Sequence, residues 1–322
     1  MALRAAAASA PHAVIVFLGD NVYPDGMPDS AAPSRASAER ALTQQLGVLQ
    51  ASGARGFFVP GNHDWDSMQP GGWAAILRQE RFIAAAGGGP VLLPAGGCPG
   101  PAVRDVGAVV RLVALDTQWW LQDGPKPQGP TSSCPAATEG AVIDSVRAAL
   151  RTAGKRDVVV VAHHPLVSGG AHGGHFGWQD HIFPLRNINP WLWIPLPLIG
   201  SAYPIARVEG ISRQDIPSHA YGRMLVALDS AFAGAPPPLI YAAGHEHTLQ
   251  VIAGTSARYV IVSGAGTFGH IDHVMALDST RFARSASGFM RVEFLRDGRA
   301  RVGAMVVDRA GRAAEEFGLW LN

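Results

Sequence analysis

Lysine is nearly absent from this chain of 322 residues: Lys126 and Lys155 are the only two, and arginine carries the rest of the 26 basic side chains. Charge of either sign is sparse, at 16% of residues, and 26 basic against 25 acidic groups leave a formal net charge of +1. Such a balance supplies no general attraction to nucleic acid or to an anionic membrane, so neither is expected as a partner. Cysteine is limited to Cys98 and Cys134, both in Pro/Gly-rich sequence, a placement that argues against their being metal ligands. They are either two free thiols or one disulfide stapling a long loop in an oxidising compartment, and their setting among turn residues favours the bond. No linker, repeat or block of like charge divides the chain, and nothing in it reads as a transmembrane segment. The most apolar stretch, residues 190–199, is short for a span and is interrupted by Pro195 and Pro197. It reads as a covering loop or partner surface. The first ten residues are alanine-rich but lack the strong apolar centre of an export signal.

What is present is apolar: 48% of the residues are hydrophobic, enough for one large α/β domain over residues 1–322. Continuous apolar runs at 13–18, 56–60, 109–115, 157–162 and 239–243 suit parallel strands covered on both faces. Between them, 34–53, 73–86, 136–153 and 219–234 read as helices, the first capped by Ser34 or Ser37 and ended by Gly53. Residues 87–107 read as loop and 117–135 as an excursion, while 166–217 lose regularity and form an irregular cover. Beyond 247 strands dominate, with a hairpin over 289–307 that turns at Asp297-Gly298.

Four polar clusters follow apolar runs: Asp20-Asn-Val-Tyr23, Gly61-Asn62-His63-Asp64, His163-His164-Pro165 and Gly244-His245-Glu246-His247. Strand ends are where open α/β sheets keep their sites. In this order the clusters resemble the calcineurin-like metallophosphoesterases, and the Asp20–Tyr23 spacing resembles the purple acid phosphatase branch. The resemblance runs from Gly19 to about Gly266. It implies two mixed β-sheets packed between helices, an αββα sandwich. It also implies a binuclear metal centre, with Asp20 bridging, Asn62, His163 and His245 on one cation, and Tyr23 and His247 on the other. The donor set suits iron paired with zinc, manganese or a second iron. The implied activity is hydrolysis of phosphate esters, monoesters first, by a metal-activated hydroxide. By the same resemblance His63 stabilises phosphoryl oxygens or protonates the leaving group, with Asp64 orienting it or capping the next turn.

His172 and His175, in a glycine loop after the His163 run, are candidates to contact substrate oxygen. His164 reads as a packing residue, while His12, His181, His219, His270 and His273 have no motif around them. Asp116 ends the 109–115 run and is a weaker ligand candidate. Enzymes of this type open with an earlier strand ending in Asp-x-His or Asp-x-Gly, and no such motif is found here. Hence the 13–18 strand is expected to lack a neighbour, and an upstream start that would also bring a signal peptide is expected. That places the protein in the periplasm or outside the cell if such a signal exists, and otherwise in the cytoplasm. The rival reading is a metal-poor binding or structural protein of the same fold. If Tyr23 and His247 keep only Asp20 as a carboxylate, Asp116 and Asp25 are the first candidates to replace the absent ligand.

Overall fold

The computed structural model describes residues 1–10, 12–86, 89, 91–187, 191–197, 199–266 and 271–322. His270 and part of the apolar run 190–199 lie outside these. The apolar runs become strands. β1 (Val14–Phe17), β2 (Arg55–Phe58) and β3 (Val91–Leu92) form a small parallel sheet in that order. A larger mixed sheet is built from β4 (Ala102–Val106), β5 (Val110–Ala114), β6 (Asp157–Val161), β7 (Ile240–Ala243), β8 (Leu249–Ala253), β9 (Tyr259–Ser263) and β10 (Thr280–Arg284). Its order is β10-β8-β9-β7-β6-β5-β4, and β5, β6, β7 and β9 run parallel. The expected hairpin is β11 (Gly288–Phe294) and β12 (Ala300–Val307), extended antiparallel by β13 (Ala313–Trp320).

The helices close both outer faces. α1 (Ala2–Ala8), α2 (Arg35–Ser52) and α3 (Gly72–Ala85) lie on the small parallel sheet, burying Ala7, Leu42, Leu46 and Ile76 with Phe58. The large sheet carries α4 (Gln118–Leu121), α5 (Glu139–Arg151) and, beyond a covering segment holding α6 (Trp178–Ile182) and α7 (Ala202–Val208), α8 (His219–Ala233). Between the β-layers Phe57, Val59, Leu112, Val161, Ile261 and Val302 form the inner core. The architecture is therefore helix, sheet, sheet, helix, as the sequence implied.

Local differences have identifiable causes. Gly53 ends α2 as expected, in the left-handed region at φ 71°, but Ser34 makes no side-chain bond at the other end. α5 starts at Glu139, where the Thr138 hydroxyl accepts from Ala141 N at 3.3 Å. Residues 87–107 are not all loop: β3 and β4 lie there, too short or too exposed to show as apolar runs. The second β-layer is two sheets rather than one. Val14 and Val16 face the inner core and Ile15 and Phe17 the helices, so β1 is covered on both faces. Only β2 pairs with it, and its other edge is unpaired among the described residues.

Cys98 and Cys134 are bonded, their Cα atoms 5.6 Å apart and 36 positions apart in sequence. In the chain-entropy picture, closing a loop of that length contributes on the order of 4 kcal/mol. No helix among the described residues is long and apolar enough to cross a membrane. The covering segment does expose Trp178, Trp191, Ile199 and Ile211.

Candidate metal centre

The four clusters meet because the strands that precede them end at the same side of the sandwich, two in each layer. Asp20 follows β1 and Asn62 follows β2 in one layer, while His163 follows β6 and His245 and His247 follow β7 in the other. Two glycines let the loops close in. At Gly19, φ +96°, a Cβ would stand 2.2 Å from His163 Nδ1, and at Gly61 it would stand 2.3 Å from Asp20 Oδ1. Asp20 and His245 themselves adopt φ 54° and 65°, a conformation uncommon outside glycine and concentrated at functional sites.

The first group is Asp20, Asn62, His163 and His245. His163 Nδ1 donates to the Leu18 carbonyl at 2.7 Å and His245 Nε2 donates to the Gln214 carbonyl at 2.8 Å. Each imidazole therefore turns a lone pair inward. His163 Nε2 lies 3.0 Å from Asn62 Oδ1, 3.3 Å from Asp20 Oδ2 and 3.2 Å from His245 Nδ1, which is itself 3.1 Å from Asn62 Oδ1. Four acceptors converge here without a donor between them. Such an arrangement repels itself unless a cation or an extra proton sits at its centre.

The second group shares the same carboxylate oxygen. Tyr23 OH lies 3.0 Å from Asp20 Oδ2 and 3.1 Å from His247 Nε2, and one phenolic proton can serve only one of them. Asp272 Oδ2 stands 3.2 Å from His247 Nδ1, on the far side of the ring. The division of the six residues into these two groups, with Asp20 in both, follows the expected ligand sets.

Charge follows geometry. Burial alone would raise Asp20, but His163 and His63 outweigh it and hold the carboxyl well below its usual range. Tyr23 is pushed well above an ordinary phenol, by burial and then by the Asp20 charge, although 46% of the residue is exposed. A cation at this point would invert that balance. Burial holds His245 and His164 well below the ordinary imidazole range.

His164 lies within 4.8 Å of His163 and His245 but has no lone pair to spare: Nε2 donates to Gln214 Oε1 and Nδ1 accepts from the Thr117 hydroxyl, both at 2.8 Å. Asp64 is fully buried, and its carboxylate accepts from Asn21 N at 3.0 Å, Asn21 Nδ2 at 2.9 Å, Val22 N at 3.2 Å and Gly61 N at 2.8 Å. It staples the Asp20 loop to the Asn62 loop; its hydrogen bonds do not reach the His63 ring. His63 is oriented instead by the Pro24 carbonyl and, at 3.4 Å, by Ser67 Oγ, while its backbone N donates to Asp20 Oδ1 at 3.0 Å.

A cleft of about 450 Å³ opens over both groups. Asp20, Asn62, His63, His245 and His247 form its floor, and the covering segment adds His172, Tyr203, Arg207, Ile211 and Gln214. His172 thus belongs to the cleft, its ring centroid 3.9 Å from that of His245, whereas His175 does not line it. Glu246, unremarked in the sequence although it sits between two expected ligands, is fully buried and accepts from Gly173 N at 3.1 Å. That contact ties the His172 loop to the metal loop. Arg207, Asp215 and Asp272 gave no sequence signal.

Neither Asp25 nor Asp116 joins the ligand groups. Asp25 accepts from Ser67 Oγ at 3.2 Å. Asp116 is fully buried: Oδ2 accepts from Trp65 Nε1 at 2.9 Å, and Oδ1 has no partner among the described residues. Burial pushes its pKa up to about 8. A carboxyl raised in the folded state holds its proton more tightly there than in the unfolded chain. Its stabilising effect is therefore complete below the ordinary carboxyl range and is lost as pH rises towards 8, by ~1.4 kcal/mol per pH unit in between. Urea midpoints should fall from pH 5 to pH 7 in the parent chain and fall less in Asp116→Asn. An equally steep fall in the variant would assign the effect to another group.

No family model and no curated protein matches the chain. Solved structures do. GAP50, described as the anchor in the inner membrane complex of Plasmodium, is 18% identical with TM-score 0.53, over 96% of this chain and 78% of that one. PhoD is 10% identical with TM-score 0.59, over 99% and 66%. The purple acid phosphatase PPD1 from yellow lupin (Lupinus luteus) seeds is 11% identical with TM-score 0.54, over 96% and 46%. The chain thus spans two-thirds or less of the last two. Identities this low show the fold alone, an α/β fold shared with PhoD and with this purple acid phosphatase.

Proposed function

We propose that the chain hydrolyses phosphate esters, monoesters in particular, at two cations held by Asp20 with Asn62, His163 and His245, and by Asp20 with Tyr23 and His247. The observation that carries this reading is the convergence of four acceptors with no donor among them. Carboxylate, amide, imidazole and phenol together suit iron with zinc, manganese or a second iron better than calcium or magnesium. Bound cations would bring the pKa of a water towards ~7 and draw charge from the phosphoryl oxygens.

The remaining work falls to side chains. His63 donates Nδ1–H to the Pro24 carbonyl, which leaves Nε2 for the cleft; when the ring carries its second proton, Nε2–H can pass that proton to the leaving oxygen and return to the neutral form. His172 reaches a phosphoryl oxygen from the opposite wall. Asp64 holds the two loops in register. The 450 Å³ cleft has room for a phosphoryl group with a modest alcohol.

The test is elemental analysis of Asn62→Ala and His245→Ala beside the parent, with turnover of simple phosphate monoesters before and after chelation. Each variant should lose about one of two cations, because both residues serve the same one. Unchanged metal in both would defeat the assignment. The likeness to GAP50, described as an anchor, marks the other reading, in which the fold serves attachment. Metal-independent behaviour with no ester turnover would favour it.

A further inference from the structure

His172 reaches the cleft from a loop without regular structure, so something must fix the direction of its ring. The covering segment supplies two residues for this. Asp215 is almost wholly buried, and its Oδ1 lies 2.8 Å from His172 Nδ1. The Arg207 guanidinium grips the same carboxylate through both Nε and Nη2. Its third nitrogen, Nη1, donates to Tyr203 OH at 2.8 Å, and the guanidinium packs over the Tyr203 and Phe176 rings. The backbone adds a tie, Ile216 N donating to the His172 carbonyl at 2.8 Å.

One acceptor, Asp215 Oδ1, and one donor, Arg207 Nη2 at 3.0 Å, face His172 Nδ1, and Nη2 makes its closer contact with Asp215 Oδ1. If Nδ1 carried no proton, its lone pair would face a carboxylate oxygen at 2.8 Å, a repulsive contact in a buried setting. A proton on Nδ1 turns that contact into a charge-assisted hydrogen bond. Nε2, which has no partner among the described residues, is then the atom presented to the cleft.

We infer that Asp215, held by Arg207, is a positioning residue that fixes His172 as the Nδ1–H tautomer, with Nε2 turned into the cleft as an acceptor for a protonated phosphoryl oxygen or a water. This rests on the phosphoesterase reading for its consequence, but the tautomer itself does not depend on that reading. Burial by itself would raise Asp215, yet the bonds from His172 and Arg207 outweigh it and keep the carboxylate ionised.

The experiment has two arms. In zinc-loaded protein, imidazole nitrogen NMR, with His172→Gln for assignment, should show His172 as the Nδ1–H form, and Asp215→Ala should convert it to the Nε2–H form, as Arg207 becomes the donor to Nδ1. An Nε2–H form in the parent chain overturns the inference, whether or not the Asp215 variant folds. The second arm is a cycle in kcat/KM for a phosphate monoester. Asp215→Ala should cost ~10–100-fold, as expected for a group behind an active side chain. In the His172→Gln background the same change should cost less than about twofold, because its route of action is gone. Equal costs in both backgrounds would mean that Asp215 only supports the fold, which also overturns the inference. If the parent chain turns over no ester, the functional reading fails and the first arm still decides the tautomer.

Discussion

Asp20→Asn should release cations from both halves of the site and lower ester hydrolysis by more than the ~10–100-fold typical of groups that stand behind ligands. Asparagine suits the test because it keeps the volume and tolerates the backbone at φ 54°, which alanine does not. The charge is removed and one acceptor oxygen becomes an amide donor. Oδ2 of this carboxylate faces His163 Nε2 at 3.3 Å and Tyr23 OH at 3.0 Å, so both donor groups lose their shared anion at once. The contrast with Asn62→Ala, which should cost about one cation, makes the result specific to bridging. Among the six residues the Tyr23–His247 side offers three donors counting Asp20 and the Asn62 side four, so the Asn62 side should fill first when metal is titrated back. Two cations retained in Asp20→Asn at full activity would remove Asp20 from the centre.

His63→Ala is expected to keep its metal and lose ~10²–10⁴-fold in kcat on an alkyl phosphate, the range for positioned acid–base help. The ring is held by the Pro24 carbonyl, by Ser67 Oγ at 3.4 Å and by the Tyr23 ring at a centroid distance of 4.3 Å, so it is already aimed in the free protein. Its removal leaves the ligand set untouched. With a nitrophenyl ester, whose leaving group needs no proton, the deficit should shrink sharply. An equal deficit on both esters would mean that His63 binds the phosphoryl group and does not protonate the leaving oxygen.

Much of this site was legible because its residues sit where unbroken apolar runs stop. Those of β1, β2, β6 and β7 are buried on both faces, so the first polar residue beyond each marks a strand end without ambiguity. Gly53 was legible for the same kind of reason, since a left-handed cap needs glycine. The sequence could not reveal the pairing of Arg207 with Asp215 or of His247 with Asp272. Both join segments that have no period, and an isolated arginine or aspartate in such a segment resembles any surface charge. Asp64 misled for another reason: beside His63 in sequence, it is turned towards Asn21, Val22 and Gly61. β4 was hidden because an edge strand with exposed Arg104 and Asp105 carries no apolar run. The alanine-rich start, read only for an export signal, is a helix packed on α2.

The donors of the first group come from opposite layers of the sandwich, Asp20 and Asn62 from one and His163 and His245 from the other. Across that seam the layers are also joined by side-chain packing and by bonds such as that of His163 to the Leu18 carbonyl, and the second layer is itself split beside β1. A cation seated there would act as a rivet through the seam, resisting any sliding of one sheet over the other. Its binding energy would then be shared with folding: occupancy at a hundred times the dissociation constant adds ~2.7 kcal/mol to the resistance against unfolding. For this chain metal supply would thus be a determinant of cellular abundance as well as of catalysis, since a starved population would be the looser one and the first to be degraded.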